Sequence, residues 1–589
     1  MTKATAIAES TTTQTIPTIS YQVAMSQPTS HLFEVKLVVK GWRSSTLDLK
    51  MPVWTPGSYL VREYARHVQD FYAEDADKHS LASRKISKNH WEITTENISN
   101  ITVCYRVFAN ELTVRTNHLD STHGYFNGAA LFFYIPGLEH NPITVSIAPP
   151  QSSWQVTTTL PSVPEETNTF TAKDFDTLVD SPFEIGTHRL YDFEAGGKPH
   201  QLAIWGEGNA KPTQIIEDIQ SIIDSEADMY GGLPYDRYLF ILHLSDNGFG
   251  GLEHKDSCSL NYPRFSFRKR DRYERFLQLV AHEFFHLWNV KRIRPKTLET
   301  FDYEGENYTT SLWFCEGATS YYDLLIPVRA GIYNSQTFLD NLSKDITKFL
   351  TIPGRKVQPL GESSFDAWIK LYRRDANSDN SQISYYLKGE LVSLLLDLLI
   401  RARHHNDRSL DEVMRQMWDR FGKSEIGFTP SGLWEVIESV AETDLSEFRD
   451  RYINSTAELP FDEYLEPFGL QIKSVTEDEP VPDTGMKVTA ENGKETIKFV
   501  RSGSPAAIAG IDAGDELLAI NNRRVSAEKL SDRLKDYQAG DIILVSVFHQ
   551  NELRSVEVKL AEAQPSRYEI VKVENPTETQ KQNLAGWLG

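Results

Sequence analysis

From about residue 18 to residue 190 apolar and polar positions alternate. HLFEVKLVVKG sets Phe33, Val35, Leu37 and Val39 against Glu34, Lys36 and Lys40, the period-two pattern of a strand with one buried face. Turn signals such as Pro56-Gly57 and Asn127-Gly128 separate comparable runs, so residues 18–190 are expected to form a β-sandwich-like domain. From 191 to 456 the period lengthens to helical spacing, in PTQIIEDIQSIIDSEADMYGG, RYERFLQLVAHEFFHLWNVKRI, SLWFCEGATSYYDLLI, ISYYLKGELVSLLLDLLIRAR and SGLWEVIESVAE. YLFILHLS, just before the second of these, reads as a buried strand. From 457 to 565 short strands and tight turns return. Residues 1–17, rich in Thr, Ser and Ala, read as a disordered tail, and 566–589 as a loosely held one.

Composition adds bounds. A chain of 589 residues is too long for one core and points to several domains. A hydrophobic share of 40%, a charged share of 24% and a mean hydropathy of −0.41 are those of a globular protein. Lys+Arg 61 against Asp+Glu 82 leaves a net charge of −21, which argues against nucleic acid or an anionic membrane as partner. Cys104, Cys258 and Cys315 are far apart, the usage of a reducing compartment. The N-terminus lacks an apolar secretory core, and the longest apolar run, Leu391 to Ile400, is interrupted by Ser393 and Asp397. A cytoplasmic location is therefore expected.

The sharpest chemical signal is His282-Glu283-Phe284-Phe285-His286. On a helix, positions i and i+4 share a face, so both imidazoles can reach one cation. Glu283, rotated by about 100°, borders the same cleft and can take a proton from water rather than ligate. A catalytic zinc needs a third protein ligand, and Glu316 lies in an otherwise apolar helix, where a carboxylate is costly unless it meets a cation. Asp323, two helical turns further on, is placed to support a ligand imidazole. Glu304 and Glu306 are rival ligands in a polar loop. Lys291, Arg292 and Arg294 suit the C-terminal end of the HExxH helix without any substrate role. Cys315 reads as a small core residue rather than a nucleophile.

HEFFHLWNVKRIRP followed by LWFCEGATSYY resembles the glycyl aminopeptidase family of gluzincin zinc metallopeptidases, relatives of aminopeptidase N. MPVWTPGSYLVREYARHVQDF resembles that family's N-terminal domain. TIKFVRSGSPAAIAGIDAGDELLAINNRRV resembles a PDZ domain, which is also a family trait. The resemblance implies a multidomain α+β protein: an N-terminal β-sandwich-like domain, a thermolysin-like, mostly helical catalytic domain and a C-terminal PDZ domain. It implies one Zn²⁺ per chain and removal of small N-terminal residues, Gly or Ala, from peptides with a free N-terminus.

The segment Asn247-Gly248-Phe249-Gly250-Gly251-Leu252-Glu253-His254 resembles the amine-binding strand of the relatives, with Leu252 for Met and His254 for Asn. It makes Glu253, flanked by Gly250 and Gly251, the group expected to pair with the substrate's α-amine. Tyr385-Tyr386-Leu387-Lys388-Gly389 resembles their oxyanion segment, with Leu387 for Glu, and makes Tyr386 the expected oxyanion donor and Tyr385 its reserve. Phe468, Gly469 and Leu470 match the loop and strand that receive a peptide C-terminus in PDZ domains. Two other readings remain at this point. One is a zinc endopeptidase whose PDZ domain recruits protein substrates; the other is a PDZ-centred binding protein with a vestigial peptidase.

Overall fold

The computed structural model describes residues 17–476 and 479–589, so the expected N-terminal tail falls outside it but for its last residue. In the N-terminal domain, Thr18–Ala24 lies between Leu32–Lys40, antiparallel, and Ile143–Ala148, parallel, inside a seven-stranded sheet. Phe33, Val35, Leu37 and Val39 all point into the core, as the alternation requires. A three-stranded sheet of Thr46–Lys50, His90–Thr94 and Ser83–Ser87 belongs to this domain as well, and a four-stranded sheet containing His123–Phe126 and Phe183–Gly186 faces the catalytic body.

The catalytic domain is built on a five-stranded sheet. Its central strand, Tyr238–Ser245, runs parallel to Lys198–Trp205 and to Ser257–Pro263. The helix Pro212–Tyr230 makes the crossover between the first two. Arg189–Ala195 and Gly250–Glu253 form the sheet's two edges, both antiparallel to their neighbours. The helices Arg270–Phe285, Thr319–Arg329 and Tyr385–Arg403 pack beside this sheet in one continuous core. Among the described residues no helix is long and apolar enough to cross a membrane.

The C-terminal third departs from expectation in two places. The PDZ sheet begins only at Met486–Glu491, the edge strand beside the helix Ala527–Leu534. Phe468, Gly469 and Leu470 take no part in it. Leu470–Val475 pairs instead with Arg567–Lys572, a two-stranded clasp seated on the helix Ser335–Thr351. There Ile570 N donates to Ser343 Oγ at 2.9 Å and Tyr568 N to Thr347 Oγ1 at 2.8 Å. The other edge of Leu470–Val475 is met by Asp462, which accepts from Ile472 N at 2.6 Å. A ligand strand could not pair with Ile472 N there without displacing Asp462.

Nor is the segment after 566 a loose tail. A capping box on Thr577 opens the helix Glu578–Leu588, which docks on the catalytic core. Trp587 is buried between Phe338 and Phe468 and donates its indole N–H to Tyr321 Oη at 2.9 Å.

Candidate active site

The HExxH helix, Arg270–Phe285, forms because Phe276, Val280, Phe284 and their neighbours bury one apolar face. His282 and His286 come off its last turn. Glu316 comes from Trp313–Ala318, a single π-helical turn rather than the regular helix expected, which runs on into Thr319–Arg329. This turn is pressed against the helix Tyr385–Arg403. A methyl group on Gly317 would lie 2.5 Å from the backbone of Gly389. Two bare glycines thus let the element carrying Glu316 meet the one carrying Tyr386.

The donor set fits a cation. His282 Nδ1 is 2.7 Å from Asp323 Oδ2, and His286 Nδ1 is 2.6 Å from the carbonyl of Asn289. Both Nδ1 atoms therefore carry the proton, and both Nε2 lone pairs face inward. The two Nε2 atoms are 3.1 Å apart and lie 3.6 and 3.2 Å from Glu316 Oε2. A tetrahedral shell with bonds of about 2.0–2.1 Å spaces its ligands by about 3.3 Å. Three converging lone pairs without an intervening proton repel unless a cation joins them. Asn289 also donates through Nδ2 to the carbonyls of Phe314 and Cys315, tying the second histidine to the turn that bears Glu316.

The other expected residues surround this centre. One oxygen each of Glu253 and Glu283 and a nitrogen of His286 lie within 4.8 Å of one another. Burial pushes the Glu283 carboxyl up to about 7 against the opposing pull of His282. Glu253 is roofed by the TPGS turn of the N-terminal domain: a methyl on Gly57 would lie 2.7 Å from both its oxygens. Arg115, from the same domain, donates to the Gly251 carbonyl at 3.1 Å and fixes the edge strand. Tyr386 stacks its ring along His282 and shares a 2.9 Å hydroxyl contact with Tyr372. Burial first, then Glu316, keeps its phenol protonated well above the ordinary value. Tyr385 is fully buried behind it.

The departures from the relatives' motifs are accounted for locally. His254 turns to Asp180, 3.2 Å away, which also takes Lys291 at 2.6 Å. Leu387 packs in the core. Arg292 pairs with Asp256 and Arg294 with Glu425, away from the ligands, and Glu304 pairs with Lys50 at the domain boundary. Cys315 is buried among core residues. The sequence reading missed Tyr59 and Tyr372, whose buried hydroxyls sense Glu316, and Arg115. It also missed Glu226, buried without a partner near His282. Only Tyr59 lay within a motif already singled out, TPGSY.

Residues 20–187 match the family model of the peptidase M61 N-terminal domain, 275–392 that of the M61 glycyl aminopeptidase, and 482–560 that of the PDZ domain. Together with the fold they define the class: a metallo-aminopeptidase. An aminopeptidase N family protein from Idiomarina loihiensis is 31% identical in its crystal structure. The match covers 97% of this chain and 100% of that one with a TM-score of 0.91. The chain belongs to the M61 glycyl aminopeptidase family. The M1 zinc metallopeptidase from Deinococcus radiodurans is 12% identical, covering 75% of this chain and 95% of that one with a TM-score of 0.48. Yeast LTA4 hydrolase in complex with bestatin is 13% identical over 75% and 68%, with a TM-score of 0.45. No curated protein matches the chain.

Proposed function

We propose that the protein is a zinc-dependent aminopeptidase that removes small N-terminal residues, glycine or alanine, from peptides with a free N-terminus. The carrying observation is the approach of Glu253 to Glu283 and His286. A fixed carboxylate so close to the base admits one residue between the α-ammonium and the scissile bond.

His282, His286 and Glu316 would hold the metal, and two imidazoles with a carboxylate suit zinc. Bound there, zinc supplies Lewis acidity toward water and a carbonyl oxygen. Glu283 takes the proton from the attacking water and passes it to the leaving amine. Tyr386 donates its hydroxyl to the oxygen on which charge develops. Glu253 pairs with the α-ammonium, while Arg115 and the Gly57 turn keep its strand in place.

The PDZ module is a peptide-binding fold, and a C-terminal peptide would add to the edge strand Met486–Glu491 beside the helix Ala527–Leu534. Cys104, Cys258 and Cys315 are all free, which supports a cytoplasmic location.

The test uses glycyl and alanyl reporter peptides, free and N-acetylated. Zinc-dependent cleavage of the free peptides, resistance of the acetylated ones and loss of turnover with retained zinc in Glu283→Gln are expected. Efficient internal cleavage of acetylated peptides would make it an endopeptidase and overturn the reading.

A further inference from the structure

A second set of metal-type ligands lies between the N-terminal domain and the catalytic sheet, sharing no residue with the peptidase site. His123 comes from His123–Phe126, Glu184 from the strand paired with it, Phe183–Gly186, and His243 from the central catalytic strand Tyr238–Ser245. All three side chains are wholly buried, and one ligand atom from each lies within 4.8 Å of the other two. His243 Nε2 is 2.8 Å from Glu184 Oε2.

Hydrogen bonds within the protein do not satisfy this cluster. Both ring nitrogens of His123, Glu184 Oε1, His243 Nδ1 and His188 Nδ1 are buried without a hydrogen-bond partner among the described residues. A buried polar atom without a partner is destabilising, so their concentration at one point of a packed interface calls for a ligand. A His243–Glu184 hydrogen bond alone leaves the others unmet. A divalent cation between His123, Glu184 and His243 turns three of these groups into ligands at once.

Further carboxylates and imidazoles surround the cluster. Asp120 Oδ1 accepts from the His123 backbone N–H at 3.1 Å and lies 3.8 Å from His123 Nδ1, too far for a hydrogen bond but close enough to place a negative charge behind the ring. His118 in turn holds the other Asp120 oxygen at 3.2 Å, and His188 Nδ1 stands 3.9 Å from Glu184 Oε1. Trp205 stacks on the His123 ring at 3.7 Å and closes the site to solvent.

We propose that His123, Glu184 and His243 form a second, structural divalent-metal site, with zinc as the ion that two imidazoles and a carboxylate favour. The ion cross-links the N-terminal domain to the strand that leads into the amine-binding segment. It raises the expected content from one zinc per chain to two. The inference is independent of the aminopeptidase reading.

The test is metal content of the full-length protein after dialysis, together with anomalous diffraction at the zinc edge. About two equivalents are expected, with one anomalous peak among His123, Glu184 and His243, falling to about one in either His123→Ala/His243→Ala or His282→Ala/His286→Ala. One equivalent that vanishes entirely in His282→Ala/His286→Ala, or an anomalously silent water at the cluster, overturns the proposal. Should the His123→Ala/His243→Ala protein not fold, the peak in the unmodified protein decides.

Discussion

Gly251 packs directly on Glu283: a methyl group added at Gly251 would lie 2.1 Å from the Glu283 carboxyl carbon and from Oε1. The residue after next in the same strand is Glu253, so one short edge strand both shapes the position of the base and carries the amine anchor. Gly251→Ala must therefore displace Glu283. Misplacement by about 1 Å costs about 100-fold, so kcat on a glycyl reporter should fall by about two orders of magnitude. Metal content and Tm should stay near those of the unmodified protein. An unchanged kcat would separate Glu283 from the chemistry.

Asp323 holds His282 at Nδ1 while taking Gln278 Nε2 at 2.7 Å on its other oxygen. Asp323→Asn keeps the shape and removes the charge behind the imidazole. Metal affinity, measured by competition with a chelator, should fall by about 10- to 100-fold. An affinity equal to that of the unmodified protein would show that the carboxylate does not support the ligand.

Lys388, within the oxyanion segment, is wholly buried, and its ammonium has a long contact to the Ser455 carbonyl at 3.4 Å. Burial lowers it to about 8, with Glu458 opposing, against 10.5 for an ordinary lysine. Below pH 8 folded and unfolded chains both hold the proton, and burying the charge costs up to about 3 kcal/mol. Between pH 8 and 10.5 the folded chain has shed a proton that the unfolded one retains, so this group's contribution to stability rises with pH. Lys388→Met should raise Tm at pH 7, and the gain should shrink as the pH approaches 10.5. A gain independent of pH would assign it to packing instead.

Trp587 closes the terminal helix onto Phe338 and Phe468. Trp587→Ala should cost about 3–5 kcal/mol in unfolding free energy, read from denaturant melts. A loss below about 1 kcal/mol would return the segment to the status of a tail.

Local signals carried much of this structure. The period-two run from Phe33 to Val39 and the helical run ending in His286 each have a buried face that the sequence displays directly, and the spacing of His282 and His286 is their geometry. Glu316 was found by its charge in an apolar run, but its π-helical turn was not, because that turn depends on Gly317 meeting Gly389 from another helix. Phe468-Gly469-Leu470 misled for a related reason. A strand's residues do not say which partner it will choose, and Arg567–Lys572 takes it. His123, Glu184 and His243 lie on three separate strands, with no spacing between them to notice.

The clasp between Leu470–Val475 and Arg567–Lys572 has a consequence for how such a chain can change over generations. The polypeptide enters and leaves the PDZ module through neighbouring strands about 5 Å apart, and Asn380 of the catalytic domain touches the module through Val500 O and Ser502 N. Lineages can gain, lose or exchange such a module without re-threading the enzyme, as insertions with adjacent ends generally allow. The one condition is that the chain return to deliver Trp587, so that a segment following the module in sequence belongs to the core of the body preceding it.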